Sequence, residues 1–194
     1  MNRHLQSGLT LIELVVFIVI VGVALAGVLL VLSTAVRNSA DPMLHKQALT
    51  IAEAVLAEIE QQPFTYCDPD DPNAQSATST AGCTGGAAGS QDRNGGALGP
   101  VNVPAATAES RTSATAPFDN VADYAGFSMS NVTDITGANA MAGYDLSVDI
   151  TRAGGTAPFA ALPADAVLRI EVTVTSAHES FSLVGYRFRY APTL

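Results

Sequence analysis

An apolar run close to the N-terminus is the first pattern along the chain. Residues 9–32 contain one charged side chain, Glu13, and follow a short polar segment over residues 1–8. At about 1.5 Å per residue the run predicts a helix of about 36 Å, enough to cross a hydrocarbon core of about 30 Å with some tilt. A secretory signal would carry its small-residue cleavage site after the apolar core, whereas Gly8 precedes the run. We therefore expect a transmembrane helix that the chain retains.

A second pattern, with apolar residues at steps of three and four, follows this run. It predicts an amphipathic helix within residues 33–62, which Pro63 ends and which needs a sheet to cover its apolar face. Asp41 and Pro42 predict either an N-cap with proline at the first helical position or a kink in one long helix. The apolar face comprises Leu44, Ala48, Ile51, Ala52, Val55, Leu56 and Ile59.

The last third of the chain alternates between apolar and polar residues with a period of two, which is typical of half-buried strands. Residues 144–151, 168–175 and 181–190 carry this pattern. Strands close in sequence favour an antiparallel sheet with its apolar face on a helix. The predicted fold class is therefore α+β, with a long N-terminal helix packed in its second half on a C-terminal antiparallel sheet.

The third predicted strand is rich in aromatic residues. Alternate positions of this strand place its large side chains on one face, and we predict that this face lies in the core. A surface on which carbohydrate stacks is the alternative interpretation. The residues concerned are Val184, Tyr186, Phe188 and Tyr190, opposite Arg187 and Arg189.

Composition limits the size and the partners of the domain behind the helices. The chain has 194 residues and a formal net charge of −9, so residues 63–194 suffice for one modest core. Phosphate binding needs a basic stripe, and its absence from the sequence argues against a nucleic-acid partner. Residues 73–116 are rich in Ala, Gly, Ser and Thr, and we predict an exposed, flexible loop there.

Two cysteines, Cys67 and Cys83, flank a polar, turn-rich stretch. In an oxidising compartment they predict one disulfide, worth about 3 kcal/mol for a loop of this size. Two free thiols or half of a metal site are the alternatives, but there is no Cys-x-x-Cys spacing and no nearby histidine to favour zinc. We therefore expect a periplasmic or extracellular domain.

Three aspartates, Asp68, Asp70 and Asp71, follow Cys67 and raise the question of a calcium site. Pro72 stands where a loop of the EF-hand type would need an oxygen ligand. We therefore predict a solvated turn and no metal, with the three aspartates only weak candidates.

No catalytic constellation is visible along the chain. The three histidines, His4, His45 and His178, do not lie in the motifs of serine hydrolases or zinc peptidases. We predict no catalytic residue and no cofactor, and hence a protein that is not an enzyme.

Glu13 is the most informative single residue. A carboxylate in a membrane costs about 2.5 to 3.5 kcal/mol at the bilayer centre, so it usually implies a partner. A cut after Gly8 would turn the nitrogen of Leu9 into an α-amine with a pKa of about 8, and Leu9 lies four residues from Glu13 on one helix face. The amine could then reach Glu13 of its own helix or of a neighbouring one. The alternative is a first-turn glutamate that snorkels to the interface.

The order of Gly8, Leu9 and Glu13 within Gly-Leu-Thr-Leu-Ile-Glu-Leu-Val resembles the type IV prepilin family. Its members carry a leader ending in glycine, a hydrophobic first mature residue and glutamate as the fifth. The resemblance implies cleavage between Gly8 and Leu9 by a membrane-embedded prepilin peptidase, methylation of the Leu9 amine and filament assembly through Glu13. The first mature residue is leucine instead of the usual phenylalanine, and the helix-bending proline of many major pilins is missing at Leu30. The second departure favours a minor subunit.

Three further segments resemble minor pilins of the mannose-sensitive haemagglutinin (MSHA) pilus system, namely residues 47–71, 118–127 and 185–190. This resemblance implies a minor pilin that helps to initiate or assemble an adhesion filament. Its implied partners are other major and minor pilins, the prepilin peptidase, the inner-membrane assembly platform and membrane lipid. The implied location is the bacterial inner membrane with the C-terminal domain in the periplasm, and then the cell-surface pilus. A minor pseudopilin of type II secretion and an unprocessed membrane-anchored binding domain stay open as alternatives.

Overall fold

The computed structural model describes residues 10–92, 96–100, 109–177 and 179–189, and for residues 36–42 it describes the backbone alone. The predicted processing residues Gly8 and Leu9 lie outside the described residues. The chain forms two compact units, Met1–Leu44 and His45–Leu194. Helix α1, Leu11–Gln61, begins in the first unit and ends in the second.

The first unit contains the apolar part of α1. Its segment Leu11–Ala35 has 25 residues and a mean hydropathy of 3.3, and by length and composition it is long and apolar enough to cross a membrane. The helix continues through Asp41 and Pro42, so the alternative of a separate helix capped by Asp41 is wrong. A proline inside a helix forfeits one backbone hydrogen bond, and α1 accommodates this loss without ending.

The second unit buries one face of α1, as the spacing of its apolar residues predicts. The helix ends at Gln61, two residues before Pro63. The predicted apolar face of α1 is confirmed except at its first member, Leu44, which belongs to the unit Met1–Leu44. Its buried members are Ala48, Ile51, Ala52, Val55, Leu56 and Ile59.

In its described residues, the second unit also contains an antiparallel sheet of four strands in the order β1-β2-β3-β4. The strands are β1 (Ser128–Met129), β2 (Tyr144–Arg152), β3 (Val167–Ser176) and β4 (Ser180–Phe188). The three predicted strands are confirmed, with ends that differ by one or two residues. β1 was not predicted, because two residues are too few to show a period.

The buried face of the sheet follows from the strand register. β2 and β3 place apolar residues opposite each other, as in the pairs of Val148 with Val172 and Ile150 with Ile170. At the adjoining position of β4, Ile170 pairs with Gly185. A Cβ atom on Gly185 would lie 2.9 Å from Leu56 Cδ1, so glycine there permits a close approach between β4 and α1. The predicted α+β fold, with the helix on the sheet, is confirmed for this unit.

The predicted burial of the β4 aromatics is wrong. Val184, Tyr186 and Phe188 are 39%, 40% and 41% exposed, and Tyr190 lies outside the described residues. Because paired residues share a face, the pairing of Ile170 with Gly185 turns the odd-numbered residues of β4 toward the core. Both faces of β4 carry apolar groups, so alternation alone could not identify the buried one.

The aromatic residues on the outer face pack against a neighbouring loop. The ring of Phe159 contacts Tyr186 and Phe188 edge-on, with centroid distances of 5.0 and 5.3 Å and interplanar angles of 66° and 85°. Edge-to-face packing is a favoured arrangement of aromatic rings. These rings therefore do not form one flat platform for stacking a sugar.

The side chain of Arg189 is buried, although the sequence pattern placed it on the exposed face. Its side chain is 3% exposed and pairs with Asp92 and Asp165, each at 3.1 Å. The guanidinium also lies over the rings of Phe64 and Tyr66, 4.1 and 4.4 Å from their centroids. A buried arginine is stable only with such partners, and these contacts hold the end of the strand against the segment that follows α1.

Parts of residues 73–116 are packed and not exposed. The described part of this segment includes the 3₁₀ helices Thr80–Gly82 and Gly86–Gly89. The small side chains of this segment are enough to bury it, because it packs against a disulfide and does not need a hydrophobic core of its own. The prediction of an exposed loop is therefore wrong at the buried residues Ala74, Ala77, Thr80, Cys83, Ser90, Gln91, Asp92, Arg111 and Ala116.

Candidate functional site

The start of α1 is organised by Thr10 and Glu13. Thr10 Oγ1 accepts a hydrogen bond from the backbone N–H of Glu13 at 3.4 Å, and the Thr10 carbonyl accepts one from Leu14 at 3.2 Å. Thr10 is thus the N-cap, and Glu13 is the third helical residue, in the order Thr-x-x-Glu that is typical of a capping box. Sequence reasoning missed this role, although the spacing signals it. Glu13 lies where the positive end of the helix dipole favours a carboxylate.

Glu13 is exposed, and its carboxylate forms no ion pair with any residue that the structure describes. The Leu9 nitrogen, its predicted partner, lies outside those residues.

The apolar surface that follows Glu13 is continuous. Large side chains along the span are strongly exposed in the single chain, for example Leu11 at 82%, Phe17 at 62% and Leu30 at 71%. Soluble proteins rarely expose so large an apolar patch, so the surface calls for lipid or for other apolar helices. Glu13 lies near the N-terminal end of this apolar surface, as the sequence predicts.

A family model of the prokaryotic N-terminal methylation motif matches residues 3–29, a range that includes Gly8, Leu9 and Glu13. The chain carries an N-terminal methylation motif. No curated protein and no solved structure matches the chain.

The methylation motif supports a type IV pilin-like or pseudopilin protein. It implies processing by a prepilin peptidase and assembly with other pilins, and it points to a structural protein instead of an enzyme. The apolar helix behind the motif fits membrane anchoring. The α+β architecture of the chain is pilin-like.

In the second unit, the functional candidates surround a disulfide. Cys67 and Cys83 are joined with a Cα–Cα distance of 5.3 Å. Together with Ala74, Ala77 and the partly buried Tyr66 they form a small apolar cluster. Because the sulfurs are bonded to each other, they offer no thiolate to a metal.

Asp71 is fully engaged within this loop. Its carboxylate accepts hydrogen bonds from the backbone N–H groups of Asn73 and Thr84, both at 2.7 Å, and from the Thr84 hydroxyl at 2.8 Å. These bonds connect the two ends of the disulfide loop. The structure thus gives Asp71 a structural role and separates it from the other two weak metal candidates.

Removal of the disulfide should lower the melting temperature of the protein by about 6 to 12 °C. The cysteines are 16 residues apart in sequence, and a loop of this length is worth about 3 kcal/mol through the entropy of the unfolded chain. Thermal denaturation of the detergent-solubilised chain with and without a reductant measures the effect. The Cys67→Ser/Cys83→Ser variant is the control, and it should melt at the lower temperature under both conditions. Equal melting temperatures for the oxidised and reduced protein would contradict this role.

Asp68 and Asp70 lie beside carboxylates from a distant part of the chain. Oxygens of Asp68, Asp70 and Asp119 lie within 4.8 Å of one another. The same holds for Glu109, Asp119 and Asp123, so that Asp119 belongs to both groups. We call these five residues the acidic cluster.

The 109–124 segment contributes Glu109, Asp119 and Asp123 to the acidic cluster, and an ion pair binds this segment to α1. Arg111 donates to both oxygens of Glu58, at 2.8 and 2.7 Å, and the Tyr124 hydroxyl donates to Glu58 Oε1 at 2.8 Å. The Val121 N–H donates to the Pro63 carbonyl at 3.0 Å. Residues that follow α1 are thereby placed next to residues some 50 positions later in the chain.

A capping box positions two members of the cluster. Asn120 caps the 3₁₀ helix Val121–Tyr124, and the Asp123 carboxylate accepts in return from the backbone N–H of Asn120 at 2.8 Å and of Asp119 at 3.1 Å. Sequence reasoning missed Glu109, Asp119 and Asp123. The order Asn-x-x-Asp from Asn120 to Asp123 is a local signal of a capping box. No local pattern indicates that these residues lie close to Asp68.

The acidic cluster strongly disfavours the simultaneous ionisation of its members. Burial raises the pKa of Glu109 to about 10, of Asp119 to about 7 and of Asp123 to about 6, and neighbouring carboxylates add to each rise. Burial also raises the pKa of Asp68. Carboxylates in this arrangement hold protons or a cation.

Proposed function

We propose that this chain is a minor type IV pilin of the MSHA type, a structural subunit that helps to initiate or assemble an adhesion filament. The observation that carries the proposal is the methylation motif over residues 3–29, with Glu13 in the first turn of an apolar helix. The resemblance of residues 47–71, 118–127 and 185–190 to MSHA minor pilins supports the finer assignment.

In this proposal the chain has four parts. Residues 1–8 are a leader that the prepilin peptidase removes, and residues 9–32 form the helix of the filament core. Residues 33–62 continue as the amphipathic helix, and residues 63–194 form the globular domain. Before assembly the first helix lies in the inner membrane, where lipid covers its exposed apolar surface and the assembly platform extracts it.

Assembly in this proposal depends on charge neutralisation. Cleavage between Gly8 and Leu9 creates a cationic amine, and methylation retains its charge. Glu13 of a neighbouring subunit offers the opposite charge inside an apolar bundle, where ionic attraction is much stronger than in water. The pair selects the axial shift between adjacent helices, since apolar contacts alone favour no single shift.

The rival assignment is a minor pseudopilin of type II secretion, which the same motif would fit. A membrane-anchored binding domain that is not processed is the second alternative, and it requires no cleavage after Gly8.

Deletion of the gene for this chain separates the minor pilin from the minor pseudopilin. We expect fewer surface filaments and weaker adhesion, with secretion of folded exoproteins unchanged. Both defects should be restored by the wild-type chain but not by one that ends after Leu44, which retains the motif and lacks the compact unit His45–Leu194. Normal filaments with a loss of exoprotein secretion would instead assign the chain to the secretion system.

A further inference from the structure

The strand β4 forms one edge of the sheet, because among the described residues it pairs with β3 and with no other strand. Just beyond the ends of β4, the Ser176 N–H donates to the Glu179 carbonyl at 2.8 Å, and the Arg189 N–H donates to the Ala166 carbonyl at 2.9 Å. In an antiparallel pair, residues that exchange backbone hydrogen bonds alternate with residues that do not. The odd-numbered residues of β4 therefore bond to β3, and the backbone N–H and C=O groups of the even-numbered residues point away from it.

These outward backbone groups have no hydrogen-bond partner among the described residues. We call them the open edge of β4, and they belong to Ser180, Ser182, Val184, Tyr186 and Phe188. The strand at the other side of the sheet, β1, has two residues and offers no comparable row. A row of unpaired donors and acceptors is a template for a strand from another chain.

β4 also lacks the features by which edge strands usually avoid such pairing. Protected edges are short, or they carry a bulge, a proline or charged side chains. β4 has nine residues, pairs with β3 without a bulge and contains no proline, lysine, aspartate or glutamate. Its one charged residue, Arg187, donates to the Gln62 carbonyl at 3.1 Å. Nothing in the strand itself therefore prevents another strand from pairing with it.

An apolar surface lies directly beside the open edge. On the outer face of the sheet, Val184, Tyr186 and Phe188 are each 39–41% exposed. Ser180 and Ser182 extend the same row with two hydroxyl groups. Side chains of an added strand would lie next to this row at alternate positions. The row thus favours apolar residues at one end of such a strand and small polar residues at the other.

We propose that the open edge of β4 binds an extended segment of another protein, which adds a strand to the sheet. Main-chain hydrogen bonds to Ser182, Val184 and Tyr186 hold the segment, and its alternate apolar residues cover the exposed aromatic rings. On the inner face, Glu60 Oε1 takes the space that a Cβ atom of Gly185 would need, and this carboxylate favours a basic residue in the segment. A second copy of this chain fits the edge less well, because each copy carries a formal net charge of −9.

Photo-crosslinking of the full chain in cells of its natural host tests this proposal. Benzoylphenylalanine in place of Ser182 should give one cross-linked product with another protein. Sequencing of the linked peptide should show a segment with apolar residues at alternate positions. Ser147 lies on β2 in the same row of the outer face, and the same replacement there is the matched control, which should give no such product.

Val184→Pro is the decisive variant, because it removes one outward N–H and leaves the hydrogen bonds to β3 in place. With the reactive group at position 182, it should lower the yield of the cross-linked product about tenfold or more, since a backbone hydrogen bond is lost and its acceptor is left buried. Val184→Ala keeps the N–H and should retain most of the product. The two variants should have similar melting temperatures.

Tyr186→Thr is a second variant, which leaves every backbone N–H in place and removes an exposed ring. It should lower the yield several-fold, because the apolar residues of the partner lose part of their contact. Equal yields from Val184→Pro and Val184→Ala, or no product from position 182, would overturn the proposal. It would also be overturned by a linked peptide that comes from a second copy or from another segment of the same chain.

Discussion

Gly8→Val will leave the chain at its full length in the membrane. In the proposed processing the scissile bond lies between Gly8 and Leu9, directly before the apolar run, where a bulky side chain would block entry into the peptidase. We expect the Gly8→Val precursor to accumulate, to retain Met1 and to be absent from filaments. Immunoblots of membrane and sheared-filament fractions measure this.

Gly22→Ala is the matched control, because a Cβ atom at Gly22 meets no other atom within 4 Å. It should be cleaved like the wild type, which is the property that this control has to retain. Normal removal of the leader from the Gly8→Val chain would place the cut elsewhere and would contradict the processing that we propose.

Glu13→Ala should leave insertion and cleavage intact and reduce incorporation into filaments by about tenfold or more. Insertion needs only apolar length, whereas an ion pair in an environment of low dielectric constant is worth several kcal/mol, and about 1.4 kcal/mol is a factor of ten. Glu13→Gln should behave in the same way, since it keeps the size of the side chain and removes the charge. The ratio of filament-bound to membrane-bound subunit is the measurement.

Glu53→Gln provides the control for this experiment, because Glu53 is an exposed glutamate on the second half of the same helix. It should assemble normally. Full incorporation of Glu13→Gln would show that the charge is not needed, and Glu13 would then act only at the helix start, as a first-turn residue beside the cap Thr10.

The features that depend on local sequence were predictable. The apolar span, the end of α1 before Pro63 and the three long strands each follow from a pattern within about ten to twenty residues. The motif of Gly8, Leu9 and Glu13 is local as well, and the family model matches the region that contains it.

The buried face of β4 was not predictable in the same way. Apolar residues occur at both odd and even positions, and the choice between them depends on the register that pairs Gly185 with Ile170. Gly185 itself was a signal, because a glycine within a strand often marks the close approach of another element.

The acidic cluster depends on tertiary structure. Asp68 and Asp119 are about 50 residues apart in the chain, and they meet because Arg111 and Tyr124 bind Glu58 on α1. Those contacts are between side chains on different elements and have no periodic signature. Sequence reasoning therefore recognised two members of the cluster, Asp68 and Asp70, and not the three that surround them.

The central claim is that the chain is processed and assembled as a pilin, and the intact mass of the chain recovered from sheared filaments tests it most directly. We predict a single species that begins at Leu9, carries one methyl group on its amine and contains the disulfide between Cys67 and Cys83. Fragmentation of the N-terminal peptide would assign the methyl group to the Leu9 nitrogen. A chain that retains Met1 in the filament fraction, or that never leaves the membrane fraction in cells with normal filaments, would contradict the account.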